Sequence, residues 1–519
     1  MNRDAMLSAI QDKSKVWDFI IIGGGATGAG VAVDAASRGY EVLLLEQHDF
    51  AKGTSSRSTK LVHGGVRYLQ QGNLSLVLEA LRERGILLKN APHLVHNLPF
   101  IVPIYDWWES PFYGIGLKIY DALAGKHGFG KSKLLAKEKT IEAIPTVEQN
   151  GLSGGVIYYD GQFDDSRLVI NLIRTAADQG GTLLNYMKVI RILKKGGFIT
   201  GVAAYDVEND KEYILKAKAV INATGAFSDA VRNMDDSASE PMIVPSQGVH
   251  IVLDKSFLPG DTAIMVPHTA DGRVLFAIPW HNKVLVGTTD TPIEKSTLEP
   301  VPLKEEIDFL LEHAARYLDK DPGAGDILSA FAGIRPLVKM GESDKTSAIS
   351  RDHTIHISRT GLITIAGGKW TTYRKMAEET IDHAIQVAHL DFVTTNTENL
   401  QIHGYHQHSD KFGILKCYGA DVPELESVIA EDDSYQKPLH PKMRPLAGEV
   451  VWAVRHEMAR TVEDFLARRT RSLLLDAKSS VDMAETTAKI MAKELNRKKS
   501  WVKNQVEEYR KLTSRYLVM

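Results

Sequence analysis

The chain has 519 residues and a mass of 57.4 kDa, with 44% hydrophobic and 24% charged residues. At about 150 residues per domain, this length predicts about three domains. The composition excludes a disordered chain, a collagen-like chain and a pure coiled coil. The net charge of −3 gives no bulk reason to expect nucleic acid as a partner. Cys417 is the single cysteine, so neither an intrachain disulfide nor a cysteine-based metal site is expected, and no metal is predicted.

The N-terminal segment contains no apolar core of the kind that secretory signals carry. No apolar run approaches the roughly 20 residues that a helix needs to span a bilayer. A single cysteine also fits a reducing compartment. The sequence therefore predicts a cytoplasmic enzyme that is either soluble or bound to a membrane surface.

A strand–turn–helix–strand unit opens the chain. Asp18–Ile22 is a short apolar run rich in β-branched residues, as in a buried parallel strand. The sequence GGGATGAGV follows it, and the small residues up to Gly39 predict a tightly packed helix with a glycine at its end. Glu41–Glu46 reads as the next buried strand. This βαβ order predicts an α/β fold.

The glycine turn of this unit has the spacing of a dinucleotide site. Gly23 permits the tight turn, Gly25 lets a pyrophosphate approach the helix N-terminus, and Gly28 allows the helix to pack closely on the strand. Glu46 follows Gly25 by 21 residues, close to the roughly 20 expected for the acid that binds a ribose hydroxyl. The context, and not the glycines alone, predicts dinucleotide binding.

Further elements follow in chain order. Leu74–Asn90 has helical periodicity, and residues 217–227 read as a strand that runs into a glycine turn. The runs HIVLD, RVLFAIPW and KVLVGTTD predict an antiparallel sheet, and GLITIAGG with the segment after it predicts a second strand–glycine–helix unit. After about Val393 a polar, linker-like stretch leads into a helix-rich, more basic region.

Two strand–glycine–helix units so far apart predict a discontinuous domain with another domain inserted in it. We expect a Rossmann-like dinucleotide-binding domain from residues 17–99, 155–240 and 345–390. Residues 100–154 and 241–344 would form a substrate domain with a mixed or antiparallel sheet. Residues 391–519 would form an all-α C-terminal domain.

The motifs together carry a resemblance to a known family. The segments GGGATGAG, TSSRSTKLVHGGVRYL, INATGAFSD, SQGVHIVLD, PWHNKVLVGTTD, AGIRPL, SRDH and AGGKWTTYRKMAE resemble those of FAD-dependent glycerol-3-phosphate dehydrogenases, in the D-amino-acid-oxidase-like group of flavoproteins. The resemblance runs from about Asp18 to about Ala388 and is less distinct beyond. It implies FAD as the cofactor, held non-covalently. Implied cofactor contacts, besides the glycine turn and Glu46, are Ser55, Ser56, Lys60, His63, Ala223, Gly225, Gly367, Gly368 and Lys369.

The resemblance also implies sn-glycerol 3-phosphate as substrate and dihydroxyacetone phosphate as product. A phosphate needs cationic donors that converge from separate segments. The implied substrate contacts are Arg67, Tyr68, Arg335, Arg351 and Lys369. A hydride from C2 would pass to flavin N5, and the hydroxyl proton to a base. His250 and His63 lie in matching segments, with His63 equally suited to contact the flavin. The base is left open between His250, Arg335 and a bound water.

The family passes its electrons to a quinone, ubiquinone or menaquinone, so the resemblance implies peripheral contact with lipid on the inner face of the cell membrane. Two segments combine apolar and basic residues: Trp107 to Lys133, and a last helix predicted over residues 486–519, with nine Lys/Arg against three Glu. The alternative, which the pattern favours, is that the apolar stripe of that helix packs on the core of the enzyme. A glycerophosphate oxidase that uses oxygen and a non-catalytic binding flavoprotein are the alternatives. The sequence leaves a homodimer open.

Overall fold

The computed structural model describes residues 1–65, 74–106, 109–125, 128–266, 269, 274–339 and 353–518. Its strands in chain order are β1 (Val16–Ile22), β2 (Val42–Leu45), β3 (Leu61–Val62), β4 (Val95–Ile104), β5 (Lys133–Ala136), β6 (Gly154–Phe163), β7 (Thr182–Leu184), β8 (Met187–Lys195), β9 (Phe198–Asp206), β10 (Lys211–Asn222), β11 (Ile243–Asp254), β12 (Ala263–Val266), β13 (Leu275–Trp280), β14 (Lys283–Gly287), β15 (Thr291–Pro292), β16 (Ser329–Val338), β17 (His353–Ile357) and β18 (Leu362–Gly367).

The α-helices in chain order are α1 (Arg3–Ala9), α2 (Ala26–Ser37), α3 (Leu74–Asn90), α4 (Glu109–Ala124), α5 (Lys137–Ala143), α6 (Asp165–Asp178), α7 (Ser228–Asp235), α8 (Lys304–Ala315), α9 (Tyr373–Val387), α10 (Val422–Ile429), α11 (Ala447–Glu457), α12 (Ser472–Leu475), α13 (Ala477–Glu494) and α14 (Lys499–Thr513).

The first sheet has a parallel centre in the order β18–β10–β1–β2–β7, with β17 antiparallel at one edge. Alternate residues of β1 enter different cores. Phe19 and Ile21 pack with α2, α6 and α9, whereas Ile20 and Ile22 pack on the opposite face. Burial on both faces explains the continuous apolar runs in the sequence. The predicted βαβ unit and the strand–glycine–helix unit at β18 are confirmed.

The second sheet is largely antiparallel, with one parallel pair between β4 and β12. The three predicted strands near residues 250, 277 and 285 are β11, β13 and β14, and β14 pairs antiparallel with both of the others. One face packs on α8, and the other face packs on the C-terminal helices through residues such as Phe465 and Met483. The expected fold class is confirmed. The predicted domain boundary at residue 99 lies inside β4; the division of the chain into domains stays a prediction.

Two expectations about the C-terminal region were wrong. The single helix predicted over residues 486–519 is two helices, α13 and α14, because the chain turns between Glu494 and Lys499. The polar stretch after Val393 is packed against the first sheet's helices: Thr395 donates to Asp34 (2.5 Å), and Asn90 donates to the carbonyl of Thr397 (3.1 Å). Its polar side chains form hydrogen bonds with buried groups of the protein. The stretch is therefore polar, as linkers are, but packed in place.

The basic C-terminal helices keep their apolar stripe inside. Met491, Tyr509 and Tyr516 are buried, and Leu495, Val502 and Val506 pack against the same core. The lysines and arginines of α14 lie on the solvent side. The stripe therefore packs on the core of the enzyme, as in the second of the two interpretations of the sequence. No helix within the described ranges combines the length and the apolar character that crossing a membrane requires.

Candidate active site

Two cavities meet between the sheets. The first, of about 250 Å³, lies at the carboxyl ends of β1, β2, β10 and β18. The second, of about 330 Å³, lies against β11 and β16. Both are lined by Thr54, Pro336, Gly367, Gly368, Lys369 and Trp370. The position of the first cavity is where open α/β sheets bind their ligands, outside the carboxyl ends of the strands.

The glycine turn brings the backbone very close to itself. Gly23 has a φ of +109°, in the region that favours glycine. A Cβ at Gly28 would lie 1.9 Å from the carbonyl oxygen of Gly23, so α2 packs against the turn only because residue 28 has no side chain. Gly25 is the N-cap of α2, and backbone N–H groups therefore face the cavity at a helix N-terminus, where an anion such as a pyrophosphate binds.

Glu46 lies at the end of β2 and lines the first cavity. Its carboxylate accepts hydrogen bonds from the backbone N–H groups of Gly24 (2.7 Å) and His48 (2.8 Å). Burial raises the pKa of Glu46, and the two N–H donors oppose that shift. The carboxylate thus fixes the turn from the side where the sequence predicts a ribose.

Other predicted cofactor contacts divide into two groups. Ala223, Gly225, Gly367, Gly368, Lys369 and Ser55 line the first cavity, together with the glycine turn. Ser55 accepts from the N–H of Ala26 (2.9 Å), the first residue of α2. These residues surround a space that runs from the N-terminus of α2 to the wall shared with the second cavity, and such a lining suits the phosphates and flavin of FAD.

Ser56 and Lys60 line neither cavity. The Lys60 ammonium is buried and donates to Asp165 (2.7 Å) and to the carbonyl of Ser56 (2.7 Å). Burial lowers the pKa of Lys60, which Asp165 opposes. The expectation that Lys60 contacts the cofactor is therefore not supported, because its side chain turns away into an internal ion pair.

His250 lies on β11 in the wall of the second cavity and is only 2% exposed. In the sheet it stands between Gly287 on β14 and Phe331 on β16. Its ring stacks on Phe331 at 5.1 Å between centroids, and a Cβ at Gly287 would lie 2.2 Å from the ring. Its Nε2 shares a hydrogen bond of 2.9 Å with Oγ1 of Thr59.

Arg335 lies on β16 in the same cavity, with its side chain 24% exposed. Its guanidinium donates to Asp290 (3.1 Å) and to Thr288 (3.2 Å). Asp290 also accepts from Ser246. A cation held in this way keeps one orientation toward the cavity, as anion recognition requires.

His63 and Lys369 also line the second cavity, so four predicted site residues converge there from four separate segments: His63, His250, Arg335 and Lys369. Arg67, Tyr68 and Arg351 lie outside the described residues. Behind His63, the phenol of Tyr120 accepts from the N–H of Gly64 (2.9 Å) and donates to Asp160 (2.9 Å), which pairs with Arg84 (2.7 Å).

The sequence interpretation missed Thr59, Thr288, Asp290 and Trp370, which line the second cavity. Trp370 donates from Nε1 to the carbonyl of Ser55 (3.1 Å) and lines both cavities where they meet. Thr59 and Trp370 lie within motifs that the sequence singles out, so position in those motifs was an available signal. Thr288 and Asp290 end the matching segment PWHNKVLVGTTD, so the same signal was available for them.

Comparisons with known proteins agree with this geometry. The model of the family "FAD dependent oxidoreductase" matches residues 18–374, and that of the "C-terminal domain of alpha-glycerophosphate oxidase" matches residues 358–502. The mitochondrial glycerol-3-phosphate dehydrogenase of Homo sapiens is 40% identical over 530 residues, which cover 95% of this chain and 72% of that protein. That of Schizosaccharomyces pombe is 39% identical, over 95% of this chain and 86% of that protein.

A solved structure has the same fold along nearly the whole chain. The glycerol-3-phosphate dehydrogenase from Bacillus halodurans, complexed with FAD, superposes with a TM-score of 0.80 at 31% identity, covering 99% of this chain and 97% of that one. The family model, the identity to curated relatives and the two joined cavities agree. The chain belongs to the FAD-dependent glycerol-3-phosphate dehydrogenase family.

Proposed function

We propose that this enzyme oxidises sn-glycerol 3-phosphate to dihydroxyacetone phosphate and passes the electrons to a membrane quinone, ubiquinone or menaquinone. The observation that carries the proposal is the second cavity. It holds Arg335, His63 and His250, and it shares the wall from Gly367 to Trp370 with the cofactor cavity. A substrate bound there lies next to the part of the first cavity that opens toward it.

Arg335 is the described residue best placed to bind the phosphate. Asp290 and Thr288 fix its guanidinium, and a part of the side chain remains open to the cavity. Charge-assisted hydrogen bonds of this kind contribute about 1.5–3 kcal/mol each. Glycerol without a phosphate should therefore be a very poor substrate. Arg67, Arg351, Tyr68 and Lys369 remain proposed partners in the same task.

Bound FAD supplies the two-electron acceptor for the C2 hydrogen. The residues of the chain bind and orient the substrate and keep water away from the reacting atoms. The lining of the second cavity combines apolar side chains, among them Phe100, Tyr158, Met265 and Phe276, with the polar groups of His250 and Arg335. A few fixed polar groups in a largely apolar pocket orient a small polar ligand.

A quinone acceptor requires contact with a bilayer, and we place the enzyme peripherally on the inner face of the cell membrane. The apolar stripe of α14 packs on the core, so its exposed lysines and arginines are its main contribution to lipid contact. In the other candidate segment, Trp107, Trp108 and Lys126 lie outside the described residues, and Tyr113 and Leu117 are buried. Ile119 (47% exposed) and Leu134 (57% exposed) are open to solvent beside Lys118, Lys131 and Lys133.

Anaerobic mixing with glycerol 3-phosphate tests the proposal. The flavin absorbance of the purified enzyme should bleach, and a soluble quinone analogue should restore it. Flavin that stays oxidised would indicate a non-catalytic binding protein. Oxygen is the alternative acceptor, which the oxidase-type C-terminal family match favours. Rapid reoxidation by oxygen, with none by the quinone analogue, would replace the proposal by an oxidase.

A further inference from the structure

Two polar side chains lie side by side in the second cavity: His250 of β11, and Arg335 of β16, which reaches over Gly248 of β11. Gly248 and His250 are two residues apart and thus point to the same face. Arg335 fills the space above Gly248, where a Cβ would lie 2.6 Å from its Nη2. The guanidinium of Arg335 and the imidazole of His250 are therefore neighbours along one strand.

The two ring nitrogens of His250 have very different surroundings. Nε2 is within 2.9 Å of Oγ1 of Thr59. Nδ1 is buried and has no hydrogen-bond partner among the residues that the structure describes. Gly287 and Phe331 on the two neighbouring strands enclose the ring, so rotation of the side chain would require space that the sheet does not offer.

This asymmetry selects the tautomer. A neutral imidazole carries one hydrogen, and the hydrogen bond at one nitrogen decides where it lies. A buried N–H without an acceptor is rarer in proteins than a buried acceptor without a donor. The hydrogen of His250 therefore belongs on Nε2, where the oxygen of Thr59 accepts it.

The direction of this bond determines what Thr59 can offer. Its oxygen is occupied as an acceptor for His250, so its own hydrogen is free to point elsewhere. Thr59 lines the second cavity, as Arg335 does. We infer that the Thr59 hydroxyl, oriented by Nε2–H of His250, donates a hydrogen bond to a phosphate oxygen of the substrate and acts beside Arg335 as a specificity-determining residue.

The inference rests on the proposed function for the identity of the substrate, and it removes His250 as the general base. Because Nε2 already holds a hydrogen, the proton of the C2 hydroxyl goes to another acceptor in the cavity. Burial, together with the charges of Lys60 and Arg335, holds the pKa of His250 well below its ordinary value. The imidazole thus remains neutral during turnover and positions Thr59.

The variants Thr59→Val and Thr59→Ser test the donor. Valine has the shape of threonine without its hydroxyl, and serine keeps the hydroxyl. In the FAD-loaded enzyme, Thr59→Val should weaken binding of inorganic phosphate, measured by calorimetry, by about tenfold. KM for glycerol 3-phosphate should rise by the same factor, with kcat within about threefold of the wild type. Thr59→Ser should remain within about threefold in all three quantities.

His250→Phe tests whether His250 orients the Thr59 hydroxyl, since phenylalanine keeps the stacked ring and lacks Nε2–H. Phosphate binding should weaken several-fold, and adding Thr59→Val to His250→Phe should cost less than Thr59→Val alone. Wild-type phosphate binding in Thr59→Val would overturn the inference, as would full additivity of the two substitutions. A loss confined to kcat would place Thr59 at the carbinol oxygen and overturn the phosphate assignment. Failure of the proposed function would look different, because the wild type would then not bleach with glycerol 3-phosphate.

Discussion

The two cavities of the active site are built in different ways. The first takes its shape from the backbone: the glycine turn, the N-terminus of α2 and the glycines after β18. The second takes its shape from side chains that are held by other side chains, as Arg335 is held by Asp290 and Thr59 by His250. A backbone site tolerates almost no added atom, whereas a side-chain site loses one interaction at a time. Substitutions should therefore have all-or-none effects in the first cavity and graded effects in the second.

The largest effect is expected for Gly28→Ala. The new Cβ would lie 1.9 Å from the carbonyl oxygen of Gly23, and both partners belong to rigid backbone. Helix α2 or the turn must shift, which removes the surface that faces the pyrophosphate. We expect protein without flavin absorbance after reconstitution with FAD.

Gly325→Ala is the matched control. A Cβ at Gly325 meets open space, and this residue has no positive φ. The variant should bind FAD as the wild type does. Normal flavin content in Gly28→Ala would show that the first cavity is more adaptable than its packing indicates, and the contrast between the cavities would fail.

A graded effect is expected for Arg335→Ala in the second cavity. Loss of a charge-assisted bond of about 1.5–3 kcal/mol should reduce kcat/KM for glycerol 3-phosphate roughly ten- to a hundredfold, mainly through KM. Steady-state kinetics with a quinone analogue as acceptor measure this loss in kcat/KM. The flavin content of the variant should be unchanged. Arg335→Lys keeps the positive charge but loses the two-armed contact with Asp290 and Thr288. Its kcat/KM should lie between those of the wild type and Arg335→Ala. Unchanged kinetics in Arg335→Ala would remove this residue from substrate binding.

The same contrast explains what the sequence could reveal. The first cavity depends on local spacing, so Gly23, Gly25, Gly28 and Glu46 were predictable and all line or shape it. The central strands were predictable as well, because burial on both faces leaves an apolar run. The direction of a side chain was not predictable from the sequence. Lys60 lies in a matching motif, yet its ammonium pairs with Asp165. Asp290 shows the reverse case, since its role arises only when β16 brings Arg335 alongside it.

A pH experiment examines the first cavity through His48, which lines it. Burial, with Lys52 and Arg468 nearby and Glu463 and Glu299 opposing them, lowers the pKa of His48 to about 4. Below its ordinary pKa near 6.5 the unfolded chain binds a proton that the folded protein does not. The contribution of neutral His48 to the free energy of unfolding is present above about pH 6.5 and is lost as the pH falls toward about 4. The midpoint temperature of unfolding should decrease over this window.

His48→Gln should flatten that decrease, because glutamine does not titrate. Comparing the two proteins at each pH isolates His48 from the carboxylates that titrate lower, such as Glu457, whose pKa Arg167 and its neighbours hold at about 2. Parallel curves for the two proteins would show that folding does not lower the pKa of His48.

The smallest effect is expected on the surface, outside both cavities. The exposed charges of α13 and α14 are screened by salt, and each basic residue near an anionic bilayer contributes only about 1 kcal/mol. Because the apolar stripe of α14 packs on the core, we expect the attraction to be mainly electrostatic. The enzyme should therefore co-sediment weakly with anionic liposomes at low salt and release at high salt. Charge reversal at Lys499 and Lys503, which are exposed, should reduce binding without loss of fold. If binding persists, Ile119 and Leu134 are the apolar contacts to substitute next, since insertion of apolar side chains resists salt where charge attraction does not.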